Sequence, residues 1–238
     1  MNKNIILVHG AFHTGDCWFM LKPLLEERGF TVRTPTLRGQ QGNPCHPLLV
    51  TMGGYARDIV ACAREMDGPS LLLGHSLAGF AISLAAEKQQ TLFTRLIYLT
   101  AAVPKLGSSS LRDAAPPDKS PSDMKIRLTA SIPPEVAKAE FYNCCTKDVQ
   151  EEAAAMLSPQ PILPLLGKVR STAANLGTVE KHSILCSQDR MMPIDYALAN
   201  ANQKFHSVQT LDTDHSPFLS QPPALVEAIE RIAAAGSI

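Results

Sequence analysis

The chain has 238 residues, enough to bury one sizeable α/β core but cramped for two full domains. Its 45% apolar and 18% charged residues are ordinary for a globular protein, and 22 Lys plus Arg balance 22 Asp plus Glu. With no net field and no basic run interleaved with aromatics, neither nucleic acid nor an anionic membrane surface is an expected partner.

The first apolar run, Ile5 to Val8, starts almost at the N-terminus and reads as a strand. Four apolar residues are too few for a signal-peptide core or a membrane span, so a cytoplasmic location is expected. The six cysteines (17, 45, 62, 144, 145 and 186) contain no C-x-x-C pair and are expected to be free thiols in a reducing compartment. Cys17 to Arg28 reads as an amphipathic helix ending at Gly29, Thr31 to Arg33 as a short strand and Met52 to Met66 as a helix. Leu71 to Leu73, Leu77 to Lys88 and Leu96 to Thr100 then read as strand, helix and strand. Strands alternating with helices of this length argue for a mostly parallel sheet with helices on both faces. Their near-continuous apolar character fits burial on both sides.

From about Val103 to Val179 the alternation breaks and no strand is predicted. Ser108-Ser109-Ser110, Pro116-Pro117, Pro133-Pro134 and a cluster from Pro159 to Pro164 interrupt helical stretches near Glu135–Phe141 and Asp148–Leu157. So long an insert without structure is uncommon in a compact domain, which points to short helices lying over one edge of the sheet. The expected organisation is a core of residues 1–103 and 180–238 with a small helical cap at 104–179, together one structural domain. The alternation resumes with a strand at Ser183–Cys186, a helix at Ile194–Asn202, a strand at Val208–Leu211 and a closing helix at Pro222–Ala234. The fold class is therefore α/β, with a sheet of about six strands.

The chemistry centres on Gly74-His75-Ser76-Leu77-Ala78-Gly79, directly after an apolar run. A strand-to-helix turn of this kind pushes a serine hydroxyl out of the top of a parallel sheet, and small residues are needed where bulky ones would collide. The second small position holds Ala78, with Gly79 one place later. A serine hydroxyl needs a base, and His215 follows the last predicted strand, on the same sheet edge as Ser76. The orienting acid falls between them in this architecture, and Asp189, just past the preceding strand, is favoured over Asp195, Asp212 and Asp214. Two amides are expected to bind the oxyanion of the tetrahedral intermediate: Leu77, which follows the nucleophile, and Ala11, with Gly10 letting the backbone approach. Losing one such donor costs about 3–4 kcal/mol. His9 and His13 lack a helix and an acidic third ligand, so no metal site is expected there. Phe12, Phe80, Phe141 and Phe218, with Met124 and Met156, are candidates for an apolar substrate pocket, although apolar side chains of this kind are more often core.

With these residues in hand, the chain resembles the α/β-hydrolase superfamily over essentially its whole length. It is most similar to the branch of plant methylesterases, hydroxynitrile lyases and bacterial pyrethroid-type carboxylesterases. The pieces that carry the resemblance are Leu7-Val8-His9-Gly10-Ala11, Trp18 followed by Leu21-Lys22-Pro23-Leu24-Leu25-Glu26, and Gly74-His75-Ser76-Leu77. Phe141-Tyr142-Asn143-Cys144 before Asp148-Val149, Cys186-Ser187-Gln188-Asp189 and Asp214-His215 add to it. The resemblance implies an α/β-hydrolase fold, a Ser76–Asp189–His215 triad and oxyanion donors Ala11 and Leu77. The lyases of the branch carry threonine where Gly10 stands and lysine where Ser216 stands, so ester hydrolysis is preferred. The plant esterases carry methionine at the Ser216 position and glycine at Ala78, and the cap is shorter than in many relatives.

The expected activity is a serine carboxylesterase acting on small apolar esters through an acyl-enzyme, with no cofactor. The expected partner is a small-molecule ester, with a homodimer left open. A lyase or biosynthetic cyclase on the same fold, and a low-turnover ligand receptor that keeps the triad, stand as rivals, because fold does not fix function.

Overall fold

The protein is described by a computed structural model over residues 3–105, 107–110, 128–195 and 205–235. In chain order its elements are β1 (Asn4–Val8), α1 (Leu21–Glu27), β2 (Thr31–Arg33), α2 (Met52–Arg64), β3 (Ser70–His75), α3 (Ala78–Lys88) and β4 (Phe93–Leu99). Next come β5 (Gly107–Ser110), β6 (Thr129–Ala130), α4 (Pro134–Glu140), α5 (Lys147–Ala155), β7 (Gln160–Pro161), α6 (Leu163–Leu166) and β8 (Lys168–Ser171). The chain closes with β9 (Glu180–Cys186), β10 (Ser207–Leu211), α7 (Pro217–Ser220) and α8 (Pro222–Ala234).

Six strands form one parallel sheet in the order β10-β9-β4-β3-β1-β2. The chain runs outward from β1 to β2, returns to the other side of β1 with β3, and then runs outward again. The reversal between β1 and β3 opens a crevice at their carboxyl ends, where open α/β sheets bind ligands.

Both faces of the sheet are covered, and the side chains alternate between them. Ile6, Val8, Leu72, Leu96 and Tyr98 pack with Tyr55, Ile59, Phe80 and Ile82 of α2 and α3. Ile5, Leu7, Leu71, Leu73, Ile97 and Leu99 pack with Leu21 and Leu25 of α1 and Leu225 and Ile229 of α8. Because a strand sends successive side chains to opposite faces, burial on both sides demands an unbroken apolar run.

Two expectations need correction. The single helix over Cys17–Arg28 is instead a 3₁₀ turn at Gly15–Trp18, capped by the Thr14 hydroxyl accepting from the Asp16 amide, followed by α1. Pro23 has no amide to donate back to Phe19, so a continuous helix would break there and a new one begins with Pro23 in its first turn. The stretch from Val103 to Val179, expected to lack strands, forms two antiparallel ribbons, β5 with β8 and β6 with β7. Each strand has at most four residues and pairs with a partner thirty or more positions away, so no local alternation announces it. Residues 196–202 of the expected Ile194–Asn202 helix, and Met124, lie outside the described residues.

Candidate active site

Five loops leave the carboxyl edge of the sheet near the crevice, and each contributes one part of the site. Ser76, after β3, sits at φ +53°, the left-handed region that a residue with a Cβ rarely enters. The turn is held from both sides: the Ser76 amide donates to the Leu99 carbonyl at 3.2 Å, and the Ser76 carbonyl accepts from Gly79 at 3.1 Å and Ala102 at 3.2 Å. A Cβ on Gly79 would lie 2.1 Å from the Ala102 carbonyl oxygen, so the small residue required by close approach is Gly79. Ala78 is buried and its methyl is accommodated. Ser76 itself is partly exposed, and among the described residues its hydroxyl makes no hydrogen bond.

Asp189 and His215 are brought together as expected. The Asp189 Oδ2 and His215 Nδ1 atoms are 2.7 Å apart, and both side chains are buried. The same carboxylate accepts from the Met191 amide at 2.7 Å, the Met192 amide at 2.8 Å and the Thr100 hydroxyl. Burial pushes the Asp189 carboxyl up, but the His215 charge and the hydrogen bonds from His215, Thr100 and Met192 outweigh it and hold the group below the ordinary carboxylate range. Since a carboxylate only accepts, His215 Nδ1 carries the proton, leaving Nε2 as the free basic nitrogen. On the nucleophile's side, His75 Nε2–H donates to the His215 carbonyl at 2.9 Å, and the two rings lie 4.7 Å apart between centroids.

The other acids turn elsewhere. Asp214 is fully buried but accepts from the Cys144 amide at 2.7 Å, the Ser216 amide at 3.1 Å and the Ser220 hydroxyl at 2.8 Å. Asp212 accepts from Ser187 and Gln188, and Asp195 is exposed.

The loop after β1 presses against Ser76: a Cβ on Gly10 would lie 2.9 Å from His75 Nδ1 and 3.0 Å from Ser76 Cβ. Glycine is required here by close approach. Phe12, at φ +65°, is the second strained residue of the site, and Thr100, at φ +38°, the third. Among the described residues neither the Ala11 nor the Leu77 amide donates a hydrogen bond, so both remain available to an anion.

His9 and His13 are not free ligands. His9 Nδ1–H donates to the Gly10 carbonyl at 2.9 Å while Nε2 accepts from the Leu37 amide at 3.0 Å. His13 Nδ1–H donates to the Ala11 carbonyl at 2.7 Å and Nε2 accepts from the Tyr142 hydroxyl at 2.7 Å. Burial holds both imidazoles neutral, at a pKa of about 4. Among the described residues no group of three or more His, Cys, Asp or Glu side chains is placed to hold a metal.

Of the four phenylalanines proposed for a pocket, Phe80 and Phe218 have no accessible surface and are core. Phe80 packs beneath the sheet with α2 and α3, while Phe218 stands on Trp18 with ring centroids 4.6 Å apart. Phe12 and Phe141 stack at 6.4 Å, and Phe141 lies 5.6 Å from the His215 ring. Phe141 is buried and Phe12 partly exposed. Thr100, His75, Tyr142 and Gln160 were not read as site residues from the sequence. His75, inside the serine turn, and Tyr142, inside a segment that carries the family resemblance, were the two that lay in singled-out motifs.

A model of the alpha/beta hydrolase family matches residues 5–228. The chain belongs to the α/β hydrolase family. This α/β hydrolase is 29% identical over 243 residues to a pyrethroid hydrolase of Sphingobium wenxiniae, covering 95% of its own length and 86% of the relative's. It is 26% identical over 253 residues to norfluorocurarine synthase 1 of Strychnos nux-vomica, covering 97% and 95%. The crystal structure of an Arabidopsis methylesterase shares its fold, with a TM-score of 0.84 at 21% identity and coverage of 97% and 98%. Among the described residues of this α/β hydrolase, no helix is long and apolar enough to cross a membrane.

Proposed function

We propose that this α/β hydrolase is a serine carboxylesterase that cleaves small apolar esters through an acyl-enzyme. The observation that carries the reading is the buried Asp189–His215 pair at 2.7 Å, with the His215 carbonyl bonded to His75, the residue before a serine held at φ +53°. The likeness to a pyrethroid hydrolase supports it.

In the first step the Ser76 hydroxyl adds to the ester carbonyl carbon as its proton passes to His215 Nε2. Asp189 keeps Nδ1 protonated and balances the imidazolium. The carbonyl oxygen, now an anion, takes hydrogen bonds from the Ala11 and Leu77 amides, donors that need no reorganisation when charge develops. Collapse of the intermediate breaks the bond to the alcohol, which leaves with the proton from His215. Water then adds to the acyl-Ser76 ester by the same route, releasing the carboxylic acid and regenerating the hydroxyl. The bond from Ser76 to Nε2 closes in the substrate complex, as is common for sites that are loose without substrate. Phe12 and Phe141 favour an apolar group beside the imidazole.

The likeness to a plant synthase favours one second reading, a non-hydrolytic reaction on the same serine framework. Stopped-flow mixing with 4-nitrophenyl acetate separates the two. The esterase gives a burst of one equivalent of nitrophenolate per Ser76, followed by steady turnover. Ser76→Ala lowers the rate on the order of a millionfold, since a triad fails as a unit. Full activity in that variant, or no hydrolysis across a panel of short-chain, long-chain, methyl-aryl and pyrethroid-like esters, overturns the proposal.

A further inference from the structure

The loop that carries Ala11 is held by two of its own histidines and by groups from outside it. The Gly10 carbonyl, on the same peptide unit as the Ala11 N–H, is fixed by His9 Nδ1–H at 2.9 Å. The next peptide is held at both ends: its Ala11 carbonyl accepts from His13 Nδ1–H at 2.7 Å, and its Phe12 N–H donates to Gln160 Oε1 at 3.4 Å. The Phe12 carbonyl accepts from the Ser158 amide at 2.8 Å. Among these groups the Ala11 N–H alone has no partner among the described residues.

Three residues of the insertion between β4 and β9 take part in this hold: Ser158 through its backbone, and Tyr142 and Gln160 through their side chains. Tyr142 is fully buried, and its hydroxyl donates to His13 Nε2 at 2.7 Å. That bond selects the Nδ1–H form of the neutral ring, which is the form that can donate to the Ala11 carbonyl. Gln160 is also fully buried, and its amide is oriented from both ends. Its Nε2 donates to the Tyr55 hydroxyl at 3.0 Å, and its Oε1 accepts from Gln40 Nε2 at 3.0 Å. The left-handed Phe12 sits between these anchors, a conformation that persists only where its surroundings over-determine it.

We infer that Tyr142 and Gln160 are positioning residues for the oxyanion amide of Ala11, Tyr142 acting through His13. The inference rests on the esterase reading above. The insertion thereby does more than cover the site: it sets the direction of a donor that matters only when the carbonyl oxygen becomes an anion. A donor of this kind affects the transition state and leaves ground-state binding unchanged.

The test compares Tyr142→Phe, Gln160→Met and His13→Asn with the parent on an activated ester, with an aryl trifluoromethyl ketone as a mimic of the tetrahedral adduct. Tyr98→Phe is the matched control, since it removes an equally buried hydroxyl that bonds Ser83 at 2.7 Å and touches no part of the loop. Tyr142→Phe and Gln160→Met are each expected to lower kcat about tenfold with KM within twofold, and to weaken ketone inhibition by the same factor. In the His13→Asn background, where Tyr142 has no ring to act through, Tyr142→Phe is expected to add nothing. Tyr98→Phe is expected to keep the parent kcat. An active parent whose kcat survives Tyr142→Phe and Gln160→Met within twofold overturns this inference alone, as does a loss that Tyr98→Phe reproduces. A parent inactive toward every ester overturns the esterase reading and this inference with it.

Discussion

Asp189 shows how much of the site's electrostatics rests on one carboxylate. It accepts from His215, Thr100, Met191 and Met192, a set that keeps it ionised despite burial. Asp189→Asn keeps the shape but presents an amide where His215 needs an acceptor, so the ring turns to the wrong tautomer. We expect kcat to fall about ten-thousandfold while the melting temperature changes by only a few degrees. Stopped-flow rates at pH 7 and thermal melts followed by circular dichroism check both halves. The placement of Ser76, Asp189 and His215 after β3, β9 and β10 was legible in sequence because each follows a recognisable strand. The partners of Thr100 and Tyr142 were not, because neither a polar residue after an apolar run nor a tyrosine between two short helices predicts a particular partner. Thr100 finds its partner 89 positions away and Tyr142 finds His13 129 positions away.

At the scale of elements, the packing of α3 against the end of β4 decides whether Ser76 is presented at all. Gly79, near the start of α3, faces the Ala102 carbonyl at a distance no methyl group fits. Gly79→Ala is therefore expected to push α3 away from the sheet and cost about 1–3 kcal/mol. Ala78→Gly, at a position where the methyl is already accommodated, is expected to cost no more than the intrinsic helix penalty of about 1 kcal/mol. Urea titrations of the two variants measure the difference, and equal midpoints would refute the steric argument. The inner strands β1, β3 and β4 were readable because burial on both faces writes an apolar run into the sequence, and the closing helix because one face of it is apolar. The ribbons β5–β8 and β6–β7 were not, since short polar strands owe their existence to pairing across the fold. The 3₁₀ turn before α1 had a visible cause in Pro23.

For the whole molecule, the buried histidines couple the site to stability. Burial is the largest cause of the low pKa of both His9 and His13, about 4 against 6.5 in an unfolded chain, and His75 is likewise pushed well down. Between those values the unfolded chain binds more protons than the folded one, so stability rises with pH across the window. The stabilisation is fully present above pH 6.5 and is lost as pH falls toward 4, by up to about 1.4 kcal/mol per pH unit for each histidine. Asp189, whose pKa is lowered, gives stability that fades only below the ordinary carboxylate range, outside this window. Melting temperatures measured from pH 7.5 to 4 are expected to fall steadily, and a flat profile would overturn the assignment of neutral rings. By itself the amino-acid sequence determined the α/β class, the succession of strands along the chain and the tight turn at Ser76, because these depend on periodicity and on small residues at fixed local spacing. The tertiary structure alone decided that Phe80 and Phe218 are core, that His9 and His13 serve the backbone, and that an inserted segment grips the loop of Ala11. Those outcomes depend on which side chains meet across the fold, and no local spacing encodes that.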